Sequence, residues 1–409
     1  MPGDVLAGRR LWFVGICGDG MSALALLAAG LGAEVGGSDV RTSRFSPLLE
    51  EAGVEVLIGE QGAENVPAGA EVVYSTAVPR DNPEVAAGDR VLHRGELLAQ
   101  IVAARPSVVV GGTHGKTTTA AMVAFCLREL GLDPAFYVGT EVPQLGGNAH
   151  AGEGWLVAEG DEADRSIALL APHIAVLTNI DFDHHATFAS RAAVEELFDE
   201  WTARAEQVVR GPDLEPLDVE LSVPGAHNRQ NAATALAALE LLGVSRADAI
   251  PILQRYRGAG HRFERHGEAA GVTVISDYGH HPVEIDVTIA TAREQTSGRV
   301  LVVFRPLRYS RTRYLTHELA HSLAAADVVA VAEVSGASEA APPGVTGKLV
   351  VEELSDLRPG MPLAWTPQLA DAAVYVARRA RPGDLVLAQG ADDVVTAAPL
   401  VLAALERSA

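Results

Sequence analysis

The stretch from Ser107 to Thr119, SVVVGGTHGKTTT, decides the fold of this chain. The apolar run 107–110 predicts a short buried strand, and an amphipathic pattern from about Thr117 to Leu130 predicts a helix. Glycines between them allow the backbone to approach a ligand closely, and the N–H groups at a helix start attract an anion. A strand, a glycine-rich turn and a helix in this order predict a binding site for nucleotide phosphates.

Composition supports a role for Lys116 in this phosphate loop. Only two of the 32 basic residues are lysines, Lys116 and Lys348. A slim ammonium group enters a tight phosphate site that a planar guanidinium does not fit. We expect Lys116 to contact the β- and γ-phosphates of ATP and the Thr117 hydroxyl to reach a magnesium ion. The residues of this loop predicted to bind ATP are Gly112, Thr113, His114, Gly115, Lys116, Thr117 and Thr118.

The loop does not fit the general phosphate-loop pattern completely. That pattern has its first glycine five residues before Gly115, and Val110 stands there in this chain. A glycine-rich turn without a ligand is therefore the alternative interpretation of this segment. The order of strand, turn and helix favours the nucleotide site.

The length of 409 residues indicates two or three domains, because one hydrophobic core rarely serves so long a chain. Strand and helix patterns alternate throughout, which predicts parallel sheets covered by helices. We expect an α/β fold of three domains. They are a Rossmann-like domain at 1–105, a central ATPase-like domain with the phosphate loop at 106–256, and a Rossmann-like domain at 257–409.

Charge and hydropathy exclude several classes of function. The net charge of −21 opposes binding to nucleic acid or to anionic lipid. No apolar run reaches the roughly 20 residues that a membrane span needs, and the first residues lack the features of a secretory signal. Cys17 and Cys126 are too few for a disulfide framework or a four-cysteine zinc site. We expect a cytoplasmic protein that is a monomer or a homodimer.

Five further motifs follow the phosphate loop in a fixed order. They are VAEGDEADRS from Val157, TNIDFDH from Thr178, HNRQN from His227, SDYGHHP from Ser276 and RPLRYSRTR from Arg305. Together with GTHGKTTT they resemble the Mur ligase family over nearly the whole chain. The resemblance implies an ATP-dependent ligase of peptidoglycan precursor synthesis. Its expected reaction joins L-alanine to the lactyl carboxylate of UDP-N-acetylmuramate through an acyl phosphate.

An acidic segment follows a predicted strand at 155–158. Four carboxylates lie within six positions, at Glu159, Asp161, Glu162 and Asp164. Such a density of negative charge favours a bound cation, although a solvated acidic turn is the alternative. The resemblance implies that magnesium is held by Thr117, Glu159 and His184. It also implies that Asn179 helps to hold the phosphates.

The resemblance assigns further residues to ATP. It implies that the adenine pocket is lined by His227, Asn228 and Asn231. It also implies that Arg262 reaches toward a phosphate and that Asp277 binds a ribose hydroxyl. The motif HNRQN also precedes an alanine-rich helix, so a helix cap is an alternative reading of its residues.

The incoming amino acid is assigned to the motifs near residues 276 and 305. The resemblance implies that Tyr278 and His280 face this substrate, while Arg308 and Arg311 hold its carboxylate. A guanidinium is a natural clamp for a carboxylate. Solvated arginines and a capping histidine are the alternatives that the residues alone leave open. The residues expected to be catalytic are Lys116, Glu159, His184 and Arg308.

The segment GICGDGMS follows the first predicted strand, at residues 11–15, and on its own fits either a dinucleotide or another diphosphate. An NAD-dependent dehydrogenase is therefore a rival interpretation, but the phosphate loop has no role in hydride transfer. The resemblance places UDP here instead. The residues expected to bind the UDP-sugar are Gly15, Gly18, Gly20, Met21, Ser22, Ser38, Asp39 and Thr76.

The scarcity of lysine discriminates among the family's reactions. The later ligases are known for a carbamylated lysine in the central domain, and no lysine lies between Lys116 and Lys348. This absence agrees with alanine addition. The alternatives are a recycling ligase that attaches an intact tripeptide to the same nucleotide and an inactive nucleotide-binding regulator.

Overall fold

The computed structural model describes residues 5–184, 187–260, 262–336, 339–390 and 392–407. In this part of the chain the strands form three separate sheets, one of five strands and two of six. Helices connect most successive strands, as parallel pairing requires. The predicted α/β fold with three sheet-containing domains is confirmed.

The strands and helices alternate along the chain. The strands are β1 (Arg10–Val14), β2 (Glu34–Asp39), β3 (Glu55–Ile58), β4 (Glu71–Tyr74), β5 (Arg90–His93), β6 (Ser107–Gly111), β7 (Ala135–Val142), β8 (Gly147–His150), β9 (Leu156–Glu159), β10 (Ile174–Leu177), β11 (Gln207–Arg210), β12 (Glu264–Ala269), β13 (Val272–Asp277), β14 (Val300–Arg305), β15 (Val328–Val331), β16 (Leu363–Trp365) and β17 (Leu385–Gly390). The helices are α1 (Asp19–Gly30), α2 (Ser46–Glu51), α3 (Pro83–Ala87), α4 (Arg94–Ala103), α5 (Lys116–Glu129), α6 (Arg191–Thr202), α7 (Ala226–Leu241), α8 (Arg246–Leu253), α9 (Pro282–Gln295), α10 (Tyr309–Tyr314), α11 (Thr316–Leu323), α12 (Lys348–Leu357), α13 (Leu369–Ala377) and α14 (Ala397–Glu406).

The first sheet has the strand order β3-β2-β1-β4-β5, and all its pairs are parallel. Side chains of successive residues in a strand point to opposite faces. Trp12 and Phe13 of β1 accordingly belong to different apolar clusters, and both are buried. Helix α1 follows β1 after the short turn at residues 15–18, so its N-terminus lies at the carboxyl end of the sheet.

The second sheet has the order β11-β10-β6-β9-β7-β8, and only β8 runs antiparallel to its neighbour. All five residues of β6 are buried, which fits a central strand covered on both faces. The predicted strand at 107–110 and the predicted helix from Thr117 are observed as β6 and α5. The phosphate loop therefore lies between a buried strand and a helix start.

The third sheet has the order β12-β13-β17-β14-β15-β16, with β12 antiparallel to β13. Its two faces carry different apolar clusters. Leu301 and Val303 of β14 belong to one of them, and Val302 and Phe304 belong to the other. Helices therefore cover both faces of this sheet, as in other doubly wound folds.

The chain divides into two compact units. The first comprises Met1–Phe182, Thr187–Ser222 and Arg229–Ala259, and it contains the first and second sheets. The second comprises Asp183–Ala186, Val223–Asn228 and Gly260–Ala409, and it contains the third sheet. Among the described residues, no helix has both the length and the apolar character that crossing a membrane requires.

Candidate active site

Two glycines give the phosphate loop its shape. Gly112 has φ +132° and Gly115 has φ +77°, and side chains rarely adopt such backbone conformations. A Cβ atom at Gly112 would clash with the Thr178 side chain, and one at Gly115 would clash with the Asn231 side chain. The loop therefore packs closely against the segment that follows β10 and against α7. Glycine is required at both positions.

Asn179 fixes the loop through the backbone of His114. Its Oδ1 accepts a hydrogen bond from the His114 N–H at 2.8 Å, and its Nδ2 donates to the His114 carbonyl at 2.9 Å. The Thr178 hydroxyl donates to the same carbonyl at 2.6 Å. The sequence predicts that Asn179 holds phosphates. The structure gives it the additional role of holding the loop itself, and phosphate contact stays a prediction.

Lys116 lies inside the loop and is paired with an acidic partner. Its Nζ donates to the carbonyls of Gly112 at 2.8 Å and Thr113 at 3.0 Å and lies 2.9 Å from Glu162 Oε2. Burial lowers the pKa of Lys116, but the nearby carboxylates of Glu162 and Glu159 outweigh burial and raise the pKa above its ordinary value. The ammonium is therefore charged at neutral pH. Glu162 is therefore the anionic partner of Lys116 in this structure, and the contact of Lys116 with phosphates stays a prediction.

Thr117 and Glu159 form an oxygen cluster at the start of α5. The Thr117 hydroxyl lies 2.9 Å from both carboxylate oxygens of Glu159, and the Gly139 N–H donates to Glu159 Oε2 at 2.7 Å. Burial raises the pKa of Glu159, and Lys116 opposes that effect. Magnesium prefers oxygen ligands and usually takes one or two carboxylates together with substrate phosphates. The donor set of Thr117 and Glu159 therefore fits magnesium.

The described residues contain no group of three or more His, Cys, Asp or Glu side chains able to hold a metal ion by themselves. A magnesium ion at Thr117 and Glu159 would therefore need oxygen atoms from a nucleotide or from water. His184, the third predicted ligand, belongs to the second unit. Its backbone has φ +54°, and its N–H donates to the Asp183 carboxylate at 2.7 Å. The role of His184 as a ligand stays a prediction.

Arg94 is a functional candidate that sequence reasoning missed. It is the first residue of α4, and its guanidinium bonds to Asp161 and, at 2.8 Å, to Asp164. Burial lowers the pKa of Arg94, but the anionic neighbours raise it above its ordinary value. The acidic segment is thus held in place by a half-buried cation and is not simply a solvated turn. Arg94 is 67 positions from Asp161, so no local pattern could have indicated the pair.

The first unit contains a cavity of about 540 Å³ at the carboxyl end of the first sheet. Four of the residues predicted to bind the UDP-sugar line it: Gly15, Gly18, Met21 and Asp39. The Asp39 carboxylate accepts from the Cys17 N–H at 2.9 Å. This carboxylate therefore holds the glycine turn next to the cavity.

The other predicted UDP-sugar residues lie around this cavity without lining it. Ser22 is fully buried, and its hydroxyl donates to the Asp19 carbonyl at 3.0 Å. Ser38 is 1% exposed, and Thr76 is exposed. A Cβ atom at Gly20 would lie 2.8 Å from Arg94 Nη1 and 3.1 Å from the Tyr137 hydroxyl, so Gly20 makes room for these side chains. Direct contact of these four residues with a nucleotide stays a prediction.

The predicted adenine residues lie on the first turns of α7. Asn231 is buried and belongs to the first unit, where its Oδ1 lies beside Gly115 of the phosphate loop. His227 and Asn228 belong to the second unit, and the Asn228 amide donates to the Pro224 carbonyl at 2.7 Å. Asn231 is therefore next to the phosphate loop. The adenine contacts of all three residues stay predictions.

Asp277 organises a loop of the second unit. Its carboxylate accepts from the N–H groups of Phe263 at 2.9 Å and Gly279 at 2.8 Å. It also accepts from the Thr288 hydroxyl at 3.2 Å and the Gln389 amide at 3.1 Å. Four donors satisfy both oxygens, so the structure shows a structural role that the sequence did not indicate. The ribose contact stays a prediction.

The arginines near residue 305 separate into different environments. Arg311 is 5% exposed and its Nη2 lies 2.9 Å from both oxygens of Asp183. Arg305 bonds to Asp393 at 2.8 Å, and Arg313 is exposed. Arg308, directly before α10, has φ +67°, a strained backbone of the kind that clusters at functional sites. Of these four arginines, Arg305 and Arg311 are the two that form ion pairs with carboxylates of the described residues.

The Arg311 side chain has one further donor. Its Nη1 is buried and makes no hydrogen bond to any described residue. A buried donor without an acceptor is unfavourable, so this atom suits an incoming carboxylate. Nearby, burial and the Arg311 charge lower the pKa of His280 to about 3. His280 is therefore neutral at physiological pH.

The remaining predicted residues form one group in the second unit. The Arg262 guanidinium lies 3.7 Å from Glu284 Oε1 and 5.7 Å from the centre of the Tyr278 ring. The His280 ring contacts Tyr278 edge to face, and its Nδ1 lies 2.9 Å from the Tyr278 carbonyl. The structure thus brings Arg262, Tyr278 and His280 together, as their neighbouring sequence motifs suggest.

The described part of the chain has three α/β sheets, and the phosphate loop follows a strand of the second one. This arrangement is typical of one class of ligases. The chain is a member of the Mur ligase family. Models of the family match residues 10–106 (Mur ligase family, catalytic domain), 110–207 (Mur ligase middle domain) and 261–392 (Mur ligase, glutamate ligase domain).

Several related ligases match this chain over nearly its full length. A UDP-N-acetylmuramate–L-alanine ligase of Symbiobacterium thermophilum is 36% identical, and the match covers 99% of this chain and 96% of that protein. The ligase of the same name from Kineococcus radiotolerans is 38% identical, with 96% and 95% covered. The crystal structure of the UDP-N-acetylmuramate-alanine ligase of Thermotoga maritima superposes with a TM-score of 0.82 at 25% identity, covering 98% of this chain and 100% of that chain.

Proposed function

We propose that this chain is an ATP-dependent ligase that joins L-alanine to the lactyl carboxylate of UDP-N-acetylmuramate. The observation that carries the proposal is the match to UDP-N-acetylmuramate–L-alanine ligases at 36–38% identity over almost the whole of both chains. The phosphate loop with Lys116, Thr117 and Glu159 supports it, because a carboxylate must be activated before an amine can displace its oxygen. The expected place of action is the cytoplasm.

The proposed reaction has two steps. The lactyl carboxylate attacks the γ-phosphate of ATP and forms an acyl phosphate, and ADP leaves. The amine of L-alanine then attacks the acyl carbon, and inorganic phosphate leaves. The protein contributes mainly by positioning the reactants and by stabilising negative charge on the transferred phosphoryl group.

Each step has candidate residues. Lys116, with its pKa raised by neighbouring carboxylates, supplies a fixed positive charge at the phosphates. Arg308 and Arg311 are proposed to hold the carboxylate of alanine, and Arg311 has a buried Nη1 donor available for it. His227, Asn228, Asn231, Arg262 and Asp277 keep their proposed contacts with ATP.

Magnesium is part of the proposal. Bound with ATP, it would neutralise charge on the phosphates during transfer. The Thr117 hydroxyl lies 2.9 Å from each carboxylate oxygen of Glu159, so the two side chains present three oxygen atoms together. They are proposed as protein ligands, with His184 as the third. We also retain 1–105, 106–256 and 257–409 as proposed domain boundaries.

The alternatives are less well supported. The crystal structure of a murein peptide ligase from Psychrobacter arcticus has a TM-score of 0.68 at 24% identity, which shows a shared fold and nothing more. A dehydrogenase does not explain the three Mur ligase matches. An inactive regulator does not explain why Lys116 lies in the phosphate loop beside the carboxylates of Glu159 and Glu162.

A phosphate-release assay tests the proposal. The full chain is supplied with ATP, magnesium and UDP-N-acetylmuramate, and then with L-alanine, L-serine, glycine or the tripeptide in separate reactions. Phosphate release that depends on L-alanine is expected. Release with the tripeptide alone would instead identify a recycling ligase, and no release with any acceptor would contradict the proposal.

A further inference from the structure

Glu84 is a fully buried carboxylate near the start of α3. It accepts hydrogen bonds from Trp12 Nε1 at 2.9 Å, the Ser38 hydroxyl at 2.5 Å and Asn65 Nδ2 at 2.7 Å. Within the described chain, no Arg, Lys or His forms an ion pair with it. A buried carboxylate is unfavourable unless its oxygens are well hydrogen-bonded. Among the described residues, three neutral donors compensate for the burial of the Glu84 carboxylate.

The hydrogen bonds continue from Glu84 to two amide side chains and return to it. Gln61 Nε2 donates to the Ser38 hydroxyl oxygen at 3.0 Å. Asn82 Nδ2 donates to Gln61 Oε1 at 2.7 Å, and the Glu84 backbone N–H donates to Asn82 Oδ1 at 2.9 Å. These residues therefore form a closed ring of hydrogen bonds that begins and ends at Glu84.

The carboxylate and the backbone N–H of Glu84 together fix the direction of every hydrogen bond in this ring. The Ser38 hydroxyl donates to the carboxylate, and the N–H can only donate, so Asn82 must present its oxygen to it. The Ser38 oxygen is then an acceptor and requires the nitrogen of the Gln61 amide. The oxygen of that amide in turn requires the nitrogen of Asn82. Neither amide can turn over without losing hydrogen bonds on both sides, so both have one fixed orientation.

Both amides line the cavity of the first unit. Gln61 follows β3 and Asn82 follows β4, so both lie beyond the carboxyl ends of parallel strands, where α/β sheets bind their ligands. The turn at Gly15 and Gly18, next to the start of α1, lines the same cavity and suits the diphosphate. The amides are thus available for another part of the nucleotide.

We propose that Gln61 and Asn82 recognise the base of the uridine nucleotide and that Glu84 is the residue that positions them. This inference rests on the proposed function, and it adds which residues select uracil over other bases. Each amide NH2 group has two hydrogens, and the ring uses one from each. The second hydrogens are available for a carbonyl oxygen of the base. Uracil carries a carbonyl at position 4, whereas cytosine carries an amino group there, which cannot accept.

Titration calorimetry with UDP and with CDP tests this proposal on the full chain. The wild-type protein should bind UDP at least about tenfold more tightly than CDP, because one unmatched hydrogen bond has an effect of that order. Gln61→Glu replaces a donor with an acceptor and should remove or reverse this preference. Its added charge weakens both nucleotides alike, because both carry the same diphosphate, so the ratio of the two affinities isolates the base.

Glu84→Gln is the second variant. Its amide can donate to Ser38, while the backbone N–H at position 84 still requires the oxygen of Asn82. The hydrogen bonds from the two ends then no longer match at Gln61, and this amide loses its single fixed orientation. The UDP preference should fall several-fold. The matched control is Glu64→Gln, the same change at an exposed carboxylate between β3 and β4, and its ratio should equal that of the wild type.

Three results separate the possibilities. An unchanged ratio in Gln61→Glu, or equal affinities in the wild type, overturns the inference even if alanine-dependent phosphate release is intact. A wild-type preference for UDP that Gln61→Glu abolishes supports the inference even if no ligase activity is found. If Glu84→Gln does not fold, Gln61→Glu still decides the question, because Gln61 is only half-buried and its substitution is better tolerated.

Discussion

Arg311 and Asp183 form a buried bidentate ion pair. Arg311 Nη2 lies 2.9 Å from each Asp183 oxygen, Nε lies 3.2 Å from Oδ1, and the two side chains are 5% and 7% exposed. Burial raises the pKa of Asp183, but the Arg311 charge outweighs burial and holds that pKa well below its ordinary value. Asp183 precedes His184, whose N–H it accepts. The pair therefore fixes the backbone next to a proposed magnesium ligand.

Removing Asp183 should destabilise the protein. Asp183→Ala leaves the Arg311 cation buried without its partner, and such changes cost about 3–5 kcal/mol. Denaturant unfolding of the unit that contains the pair measures the loss. The control is Glu352→Ala, which breaks the exposed Lys348–Glu352 pair, whose side chains are 54% and 58% exposed. A loss no larger than that of the control would show that the buried pair contributes little.

The same pair predicts a pH dependence. A carboxyl group whose folded-state pKa is lowered contributes stability above its unfolded pKa, which is about 3.9 for Asp. That contribution is lost as the pH falls from there through the folded-state pKa. The difference in unfolding free energy between wild type and Asp183→Ala should therefore be constant near neutral pH and should narrow below about pH 4.

The sequence predicts those features whose signals are local. The predicted strand at 107–110 and the predicted helix from Thr117 correspond to β6 and α5, and the predicted and observed ends differ by no more than one residue. Such elements can be predicted because glycine spacing and apolar periodicity are read from neighbouring positions. The glycine turn before α1 was found in the same way. These local patterns were sufficient to predict the α/β class.

Pairs that join distant segments could not be predicted. Arg311 and Asp183 are separated by 128 positions, and Arg94 and Asp161 by 67. A single sequence contains no signal for such contacts, since either arginine equally fits a solvated surface. The structural role of Asp277 could not be predicted either. Its motif indicates a ligand contact, whereas the structure shows four hydrogen bonds to residues of its own unit.

Lys116→Ala should abolish phosphate release while leaving UDP binding nearly unchanged. The ammonium lies in the phosphate loop, and loss of one preorganised group of this kind lowers kcat by roughly 10²–10³-fold. The other lysine provides a matched control. Lys348→Ala removes the same side chain at an exposed position paired with Glu352 and should keep full activity. Equal phosphate release by Lys116→Ala and the wild type would refute the assignment of the loop.

Thr117 and Glu159 should control the magnesium requirement. Thr117→Val removes the hydroxyl that lies 2.9 Å from both Glu159 oxygens, whereas Thr117→Ser keeps a hydroxyl. We expect the half-saturating magnesium concentration to rise about 10- to 100-fold in Thr117→Val and Glu159→Gln, the range found when the surroundings of a metal ion are altered. Thr117→Ser should stay near the wild type. A uniform loss of activity without a change in this concentration would indicate a structural role.

Arg308→Ala should raise the KM for L-alanine at least about tenfold, because a charge-assisted hydrogen bond to a carboxylate contributes roughly 1.5–3 kcal/mol. Arg308 is half-buried and has a strained backbone at φ +67°. Arg313→Ala is the control, since Arg313 belongs to the same motif but is exposed. Its KM should not change. If both variants behave alike, neither arginine holds the carboxylate, and the buried Nη1 of Arg311 becomes the candidate to test.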